Sequence, residues 1–303
     1  MNFFFKSFNP MTDLPDLSGR VVLITGGNTG IGYSTVKHLA RLGAKVYMGA
    51  RSQSKAEAAI AKLKAEGLGP GNGEVVWLDI DLKDPRNSKK AAEEFMKKEK
   101  RLDVLSLYLL TVISHIVLTR SLQPLLDQTA AEPNSDVRIV VVTSEGHGFV
   151  PGTPRFRNLD DLNAEYKDAT VPAFTRYCFT KLANTLYARE LQRRLTAVGS
   201  RITVMPIHPG AVYTSYFNNP STPYYQHIFK PIVYLFFSHQ DKGAYTSVFA
   251  AASEEVAKDR ERYRGAYLTP VGKVSKLPAV AADEALAKEL MDSVEAFLQE
   301  RGI

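Results

Sequence analysis

The chain has one cysteine, Cys178, among its 303 residues, so no intramolecular disulfide can form and the sequence fits a reducing compartment. The six histidines are scattered without metal-ligand spacing, and no bound metal is expected. No apolar run is long enough to span a bilayer. Internal repeats and low-complexity segments are absent. The opening Met1–Phe8 is Phe-rich but short, and Asn9-Pro10 follows it, which is unlike a signal peptide. Charge of one sign is not in large excess either. Thirty-eight Lys and Arg against 32 Asp and Glu give a net +6, a mild balance that leans towards phosphate-bearing ligands or an anionic membrane. No nucleic-acid partner is expected.

The hydrophobic content of 45% supports one large core. One domain over residues 20–303 is expected, preceded by a loose arm over residues 1–19. The stretch Val21-Val22-Leu23-Ile24 reads as a fully buried strand, and the glycine-rich turn Thr25-Gly26-Gly27-Asn28-Thr29-Gly30-Ile31-Gly32 follows at once. A helix with Val36, Leu39 and Ala40 on one face comes next. Strand, glycine turn and helix form the first unit of a dinucleotide-binding fold. Gly26 permits the tight turn, Gly30 lets backbone approach a pyrophosphate, and Gly32 lets the helix pack on the strand. The helix N-terminus offers N–H groups to phosphates.

A second strand, Lys45 to Gly49, leads to Ala50-Arg51-Ser52, the place that faces an adenosine ribose in this fold. An acidic residue there would suit a 2′-hydroxyl; Arg51 suits a 2′-phosphate, with Ser52 and Lys55 as further donors. Asp79, ending the third strand, can accept from an adenine amino group. Asp81 or Asp84 caps the next helix, with Pro85 at its first position. Strands then recur at Asp103–Leu107, Val137–Val142, Ile202–Ile207 and Gly265–Thr269, alternating with helical stretches. This order predicts an α/β fold: a Rossmann-type doubly wound parallel sheet with helices on both faces.

Several separated motifs together resemble the short-chain dehydrogenase/reductase family. Thr25-Gly26-Gly27-Asn28-Thr29-Gly30-Ile31-Gly32 matches its Thr-Gly-x-x-x-Gly-x-Gly. Tyr177-Cys178-Phe179-Thr180-Lys181 matches its Tyr-x-x-x-Lys. Ser144 stands where the family has its serine, and His208-Pro209-Gly210-Ala211-Val212-Tyr213-Thr214 matches its Pro-Gly segment. The resemblance runs from about Leu17 to the C-terminus and is greatest to the retinol-dehydrogenase and WW-domain-oxidoreductase-like branch. It implies Ser144, Tyr177 and Lys181 as catalytic residues. It also implies a dinucleotide, NADP by Arg51, held by Gly26, Asn28, Thr29, Gly30, Ile31, Gly32, Arg51, Ser52, Lys55, Asp79, Tyr177, Lys181, Pro209, Gly210, Val212 and Thr214.

The chemistry follows from the residue types. Tyr177 and Lys181, four apart, share a helix face. A tyrosine is a poor base at neutral pH, but an adjacent ammonium and a positive nicotinamide favour its phenolate. Tyr177 can then exchange a proton with an alcohol or carbonyl oxygen that Ser144 orients.

The chain departs from the family after the fourth strand. Asp103-Val104-Leu105 continues as Ser106-Leu107-Tyr108, with no Asn-Asn-Ala-Gly, and no asparagine occurs between Asn87 and Asn134 to anchor the family's relay water. Three explanations stand: a splice or gene-model product, a natural variant that binds cofactor but reacts poorly, or replacement by Ser114 or His115. The first two are favoured, and His115 is read as a helix residue with a local hydrogen bond. The expected function is an NADP-dependent oxidoreductase for a lipophilic alcohol and its aldehyde or ketone. The alternative is an impaired or non-catalytic dinucleotide-binding protein. The aromatic stretch around residues 214–243 reads as a substrate lid, as a core helix, or as a peripheral membrane contact. A cytoplasmic location is expected, with membrane association as the variant of it.

Overall fold

The computed structural model describes residues 8–108, 111–212 and 240–303. Its strands are β1 (Val21–Thr25), β2 (Lys45–Ala50), β3 (Val75–Asp79), β4 (Val104–Leu107), β5 (Arg138–Val142), β6 (Thr203–Ile207), β7 (Tyr267–Thr269) and β8 (Lys273–Ser275). They form one sheet in the order β3-β2-β1-β4-β5-β6-β7-β8. All pairings are parallel except β7 with β8. The expected doubly wound architecture is therefore present, with one antiparallel edge strand added.

The continuous apolar strands conceal a period of two. Val21 and Leu23 of β1, Leu105 of β4 and Ile139 of β5 join the core on one face of the sheet, with Phe95, Leu118, Leu186 and Leu290 from the helices covering it. Val22, Ile24, Val104 and Val140 join the core on the other face, with Val36, Leu39, Leu63 and Val248. Each strand must satisfy two apolar layers, so both of its faces are hydrophobic. The covering helices on the first face are Pro85–Lys98, Val112–Ala131, Pro172–Ala197 and Glu284–Glu300; those on the second are Gly30–Arg41, Gln53–Glu66 and Tyr245–Ala252. Asp84 caps the first of these as expected, accepting from Arg86 N at 2.9 Å ahead of Pro85.

The strand order reverses between β1 and β4, which opens a crevice at the carboxyl ends of those strands. At the opposite end, buried polar groups fix the strands that frame it. Asp103 accepts from Arg20 at 2.8 Å, from the Val21 N–H at 2.9 Å and from Arg101 at 2.7 Å, tying β1 to β4. Arg138, fully buried on β5, binds Asp136 and donates to Ala250 O at 3.0 Å and Ser253 O at 2.7 Å.

The described part of the arm is packed rather than loose. Asn9 caps the short helix Pro10–Asp13, Phe8 meets the rings of Tyr245 and Phe249, and Leu17 N donates to Leu42 O at 2.7 Å. An apolar stripe, Phe8, Leu14 and Leu17, explains the docking.

Burial raises the Asp103 carboxyl, but hydrogen bonds from Arg101, the Val21 N–H and Arg20 outweigh it and hold the pKa below the ordinary value. Asp103→Ala should lower unfolding stability by about 3 kcal/mol, since it removes the acceptor of a buried charged network. A depressed folded pKa means the contribution is present above the unfolded value, roughly 3.9, and is lost as pH falls through the folded one. Denaturant titrations from pH 7 to pH 3 check this: the gap between wild type and variant should narrow with falling pH.

Candidate active site

The glycine turn joins β1 to the helix Gly30–Arg41. Gly26 and Gly30 have φ of 63° and 56°, conformations that β-carbon-bearing residues rarely adopt. A Cβ at Gly32 would lie 2.3 Å from the Gly26 carbonyl oxygen, so only hydrogen fits there. Thr29, the N-cap, makes no side-chain capping bond. It leaves the first helical N–H groups to an external acceptor, with Asn28 and Ile31 partly buried beside it. The helix Gln53–Glu66 starts in the same manner. Its N-cap Ser52 makes no capping bond, and its hydroxyl sits 3.3 Å from that of Ser54. Arg51 and Lys55 are exposed at this corner, and Asp79 is exposed at the end of β3, in register with Ala50 of β2. Trp77 donates its indole N–H to Ala50 O at 2.9 Å, which closes the strand ends beneath them.

Past β4 the chain lacks the Asn-Asn-Ala-Gly wall, yet its end is held. Thr25 Oγ1 donates to Tyr108 O at 2.9 Å and accepts from Tyr108 N at 2.8 Å. The Tyr108 hydroxyl lies 2.6 Å from Thr35 Oγ1 under the cofactor-side helix, and burial pushes its pKa up to about 12. Sequence reading missed this contact. The available signal was a tyrosine in an apolar run, whose hydroxyl must find a partner when buried.

Of the two residues weighed as substitutes for the missing relay, Ser114 donates to Leu82 O at 2.7 Å. The bond of His115 is not local as expected: its Nε2 lies 3.2 Å from Thr25 Oγ1, ninety positions away in sequence. Burial pushes its pKa down to about 3, and the charge of Lys181 works in the same direction.

β5 ends at Val142, and Thr143-Ser144 lead into the 3₁₀ turn Glu145–Gly148. Ser144 caps that turn, accepting from Gly146 N at 3.1 Å. The helix Pro172–Ala197 carries Tyr177 and Lys181 one turn apart. The Ser144 hydroxyl lies near enough to Tyr177 to lower the pKa of its phenol. A Cβ at Gly146 would approach the Tyr177 ring to 3.1 Å, so a side chain there would crowd the pair. Lys181 Nζ stands 5.8 Å from the Tyr177 ring centroid and donates to Val142 O at 3.0 Å. Burial pushes the Lys181 pKa down to about 8. Burial also raises that of Tyr177, and the neighbouring Ser144 hydroxyl opposes it. Desolvation is the largest influence on the Tyr177 phenol in the structure. Tyr177 is therefore a protonated phenol at neutral pH, able to donate.

His208, Pro209 and Gly210 follow β6, with His208 N bonded to Leu268 O of β7 and Gly210 at φ 87°. Val212 is buried against Gly243. Thr214 and the lid residues 213–239 lie outside the described residues. The end of the expected lid, the helix Gln240–Gly243, is tied to the glycine-turn helix by an ion pair of 2.7 Å from Lys37 to Asp241. The structure thus brings Ser144, Tyr177 and Lys181 together at the carboxyl edge of the sheet, and sets the glycine turn beside Arg51, Ser52, Lys55 and Asp79 on the far side of the crevice. Among the described residues no His, Cys, Asp and Glu group could hold a metal, and no helix is long and apolar enough to cross a membrane.

Comparison with known proteins agrees with the fold. The family model described as short chain dehydrogenase matches residues 20–107, from the first strand to the end of β4. A short-chain dehydrogenase/reductase of Armillaria gallica is 40% identical, with 95% of each chain covered. Retinol dehydrogenase 14 of Homo sapiens is 33% identical, covering 93% of this chain and 87% of that protein. Among solved structures, an uncharacterised protein of Mycobacterium paratuberculosis superposes with a TM-score of 0.67 at 27% identity, over 97% of this chain and 98% of its own. The RhlG/NADP complex of Pseudomonas aeruginosa shares the fold at a TM-score of 0.64 and 20% identity, over 86% of this chain and 98% of its own. The chain belongs to the short-chain dehydrogenase/reductase family of oxidoreductases.

Proposed function

We propose that the chain is an NADP-dependent oxidoreductase that interconverts a lipophilic alcohol with its aldehyde or ketone. The observation that carries this reading is the convergence of Ser144, Tyr177 and Lys181 from the end of β5 and one helix face. When bound, the nicotinamide supplies the hydride. In the reductive direction Tyr177 donates its phenolic proton to the carbonyl oxygen as negative charge develops there, and Ser144 hydrogen-bonds the same oxygen and orients it. Lys181 stabilises the resulting phenolate and has N–H groups left for ribose hydroxyls after its bond to Val142 O. In the oxidative direction the proton returns to Tyr177.

The residues present suit a dinucleotide. The Cβ-free approach at Gly32 makes room for a pyrophosphate against backbone, and the uncapped helix start at Thr29 points N–H groups at it. The uncapped Ser52 and the exposed Arg51 supply hydroxyl and guanidinium donors for a 2′-phosphate, with Lys55 one turn beyond. Asp79 is free at the sheet edge for an adenine amino group. The lipophilic substrate class is supported by Phe174, which is more than half exposed beside Tyr177, and by the exposed Phe149 and Val171. Phe174 stacks with the Tyr177 ring, 6.4 Å between centroids. A small polar substrate gains nothing from such a rim.

The second reading is a dinucleotide-binding protein that does little or no chemistry. The absent Asn-Asn-Ala-Gly segment favours it, because that segment walls the adenosine side in the family. Against it, Thr25 already clamps the Tyr108 peptide at the end of β4.

Arg51→Ala should cut the preference for NADPH over NADH roughly tenfold, the worth of one charge-assisted pair. Titration of both cofactors against wild type and variant measures it, and an unchanged ratio would make Arg51 a surface residue. Tyr177→Phe should lower turnover by about 10²–10⁴ while leaving cofactor affinity nearly intact. Lys181→Ala should lower both. Steady-state rates with lipophilic aldehydes and ketones, paired with NADPH binding isotherms, separate these effects, and turnover surviving Tyr177→Phe rejects the acid–base assignment.

A further inference from the structure

His147 is a buried titratable group that this mechanism does not use. It belongs to the 3₁₀ turn Glu145–Gly148, which follows Ser144 directly. Two of the turn's four residues are glycines, and Glu145 is exposed, facing His208 after β6 at 4.0 Å. The turn's backbone bonds, His147 N to Ser144 O at 3.1 Å and Phe149 N to Gly146 O at 3.0 Å, stay local. Among the described residues, His147 therefore carries the side-chain bond from the turn to the helix Pro172–Ala197: its Nδ1 lies 3.1 Å from Thr185 Oγ1. A hydroxyl both donates and accepts, so either tautomer of the neutral ring completes that bond. Burial pushes the ring's pKa down to about 4, which keeps it neutral at working pH.

Tyr177, Lys181 and Thr185 follow at four-residue spacing and share one helix face. Gly146 is seated on that face, where a Cβ would stand 3.1 Å from the Tyr177 ring and 3.4 Å from Cys178 Sγ. Thr143, one residue before Ser144, reaches the same hydroxyl as His147 does. Its Oγ1 is 2.8 Å from Thr185 Oγ1 and 2.8 Å from the Lys181 carbonyl oxygen, which Thr185 also meets at 2.9 Å. The segment from Thr143 to His147 is thus closed at both ends on Thr185, with Ser144 inside the loop. On its other side the His147 ring packs edge-on against Tyr267 of β7, 4.8 Å between centroids, which restricts its rotation. Thr143, His147 and Thr185 are all buried, where an unmade polar bond is costly.

We propose that His147 is a positioning residue for Ser144: its bond to Thr185 pins the turn along the helix face that carries Tyr177 and Lys181, and so fixes where the serine hydroxyl stands relative to the phenol. With 2% of its surface exposed, His147 meets neither substrate nor cofactor and acts through the turn. The proposal rests on the reading of Ser144 as the group that orients the reacting oxygen.

Hydrogen exchange tests the contact without cofactor or substrate. The Gly146 amide, which donates to Ser144 Oγ at 3.1 Å, reports on the turn, and the Val140 amide in the central strand β5 reports on global opening. His147→Leu keeps bulk and loses the bond; exchange at Gly146 should rise about tenfold, the worth of one buried hydrogen bond, with Val140 unchanged. His147→Asn puts an amide at the Nδ1 place and should restore protection. Thr185→Val removes the other partner and should reproduce the leucine variant, so the test does not hang on the folding of one protein. Unmoved exchange at Gly146 in either folded variant, equal rises at Gly146 and Val140, or no rescue by asparagine overturns the proposal. A wild type with this exchange pattern that never turns over sinks the oxidoreductase reading and leaves the His147 contact standing. With NADPH and a lipophilic aldehyde, His147→Leu should lower kcat about ten- to a hundredfold at unchanged KM and NADPH affinity. The double variant with Thr185→Val should lose no more than either alone. A loss confined to KM, or additive losses, would place the role of His147 elsewhere and reject the assignment.

Discussion

The carboxyl edge of the sheet depends on how closely the helix Gly30–Arg41 approaches the end of β1. The position of Gly32 leaves 2.3 Å between the Gly26 carbonyl and any Cβ, so the helix starts directly on the strand. That approach puts uncapped helical N–H groups at the mouth of the crevice. It also brings Thr35 over the end of β4, where it receives the Tyr108 hydroxyl, and leaves Thr25 facing the Tyr108 peptide. Strand β4 is thus located by contacts from β1 and its helix. Backbone geometry in one turn sets the place of the ligand edge and of the strand beside it.

On the opposite side of the crevice, burial governs the chemistry. Lys181 is taken out of water and Tyr177 is largely so, and desolvation moves each towards its neutral form: the ammonium down to about 8, the phenol upwards. At neutral pH the site therefore holds a charged lysine beside a protonated tyrosine. This is the state a carbonyl reductase needs before it donates a proton. The 3₁₀ turn after β5 completes the arrangement, since Ser144 spends one lone pair on the Gly146 N–H while its hydroxyl stays beside Tyr177 and lowers the phenol's pKa.

Much of this was legible in the residues. Continuous Val/Ile/Leu runs announce strands buried on both faces, Asp84-Pro85 announces a helix start, and four-residue spacing puts Tyr177 and Lys181 on one face. The features that escaped are those that depend on the partner and not on the local pattern. Lys273–Ser275 is three residues long, half-buried at best, and becomes β8 because β7 offers it an edge. The arm docks because three apolar side chains, widely spaced, happen to meet the helix Tyr245–Ala252 and its surroundings. His115 looks like a histidine on an apolar helix. Its bond to Thr25 arises from the tertiary packing of the helix Val112–Ala131 against β1 and β4, and no spacing in the sequence encodes it.

The central claim is that Tyr177 serves hydride transfer from a bound NADPH to a lipophilic carbonyl. Its most direct test is single-turnover NADPH oxidation by stopped flow, with the chain in excess and a panel of lipophilic aldehydes and ketones. The account predicts NADPH consumption matched by alcohol formation, abolished by Tyr177→Phe at unchanged NADPH binding. A folded chain that binds NADPH and consumes none with any member of the panel would contradict it.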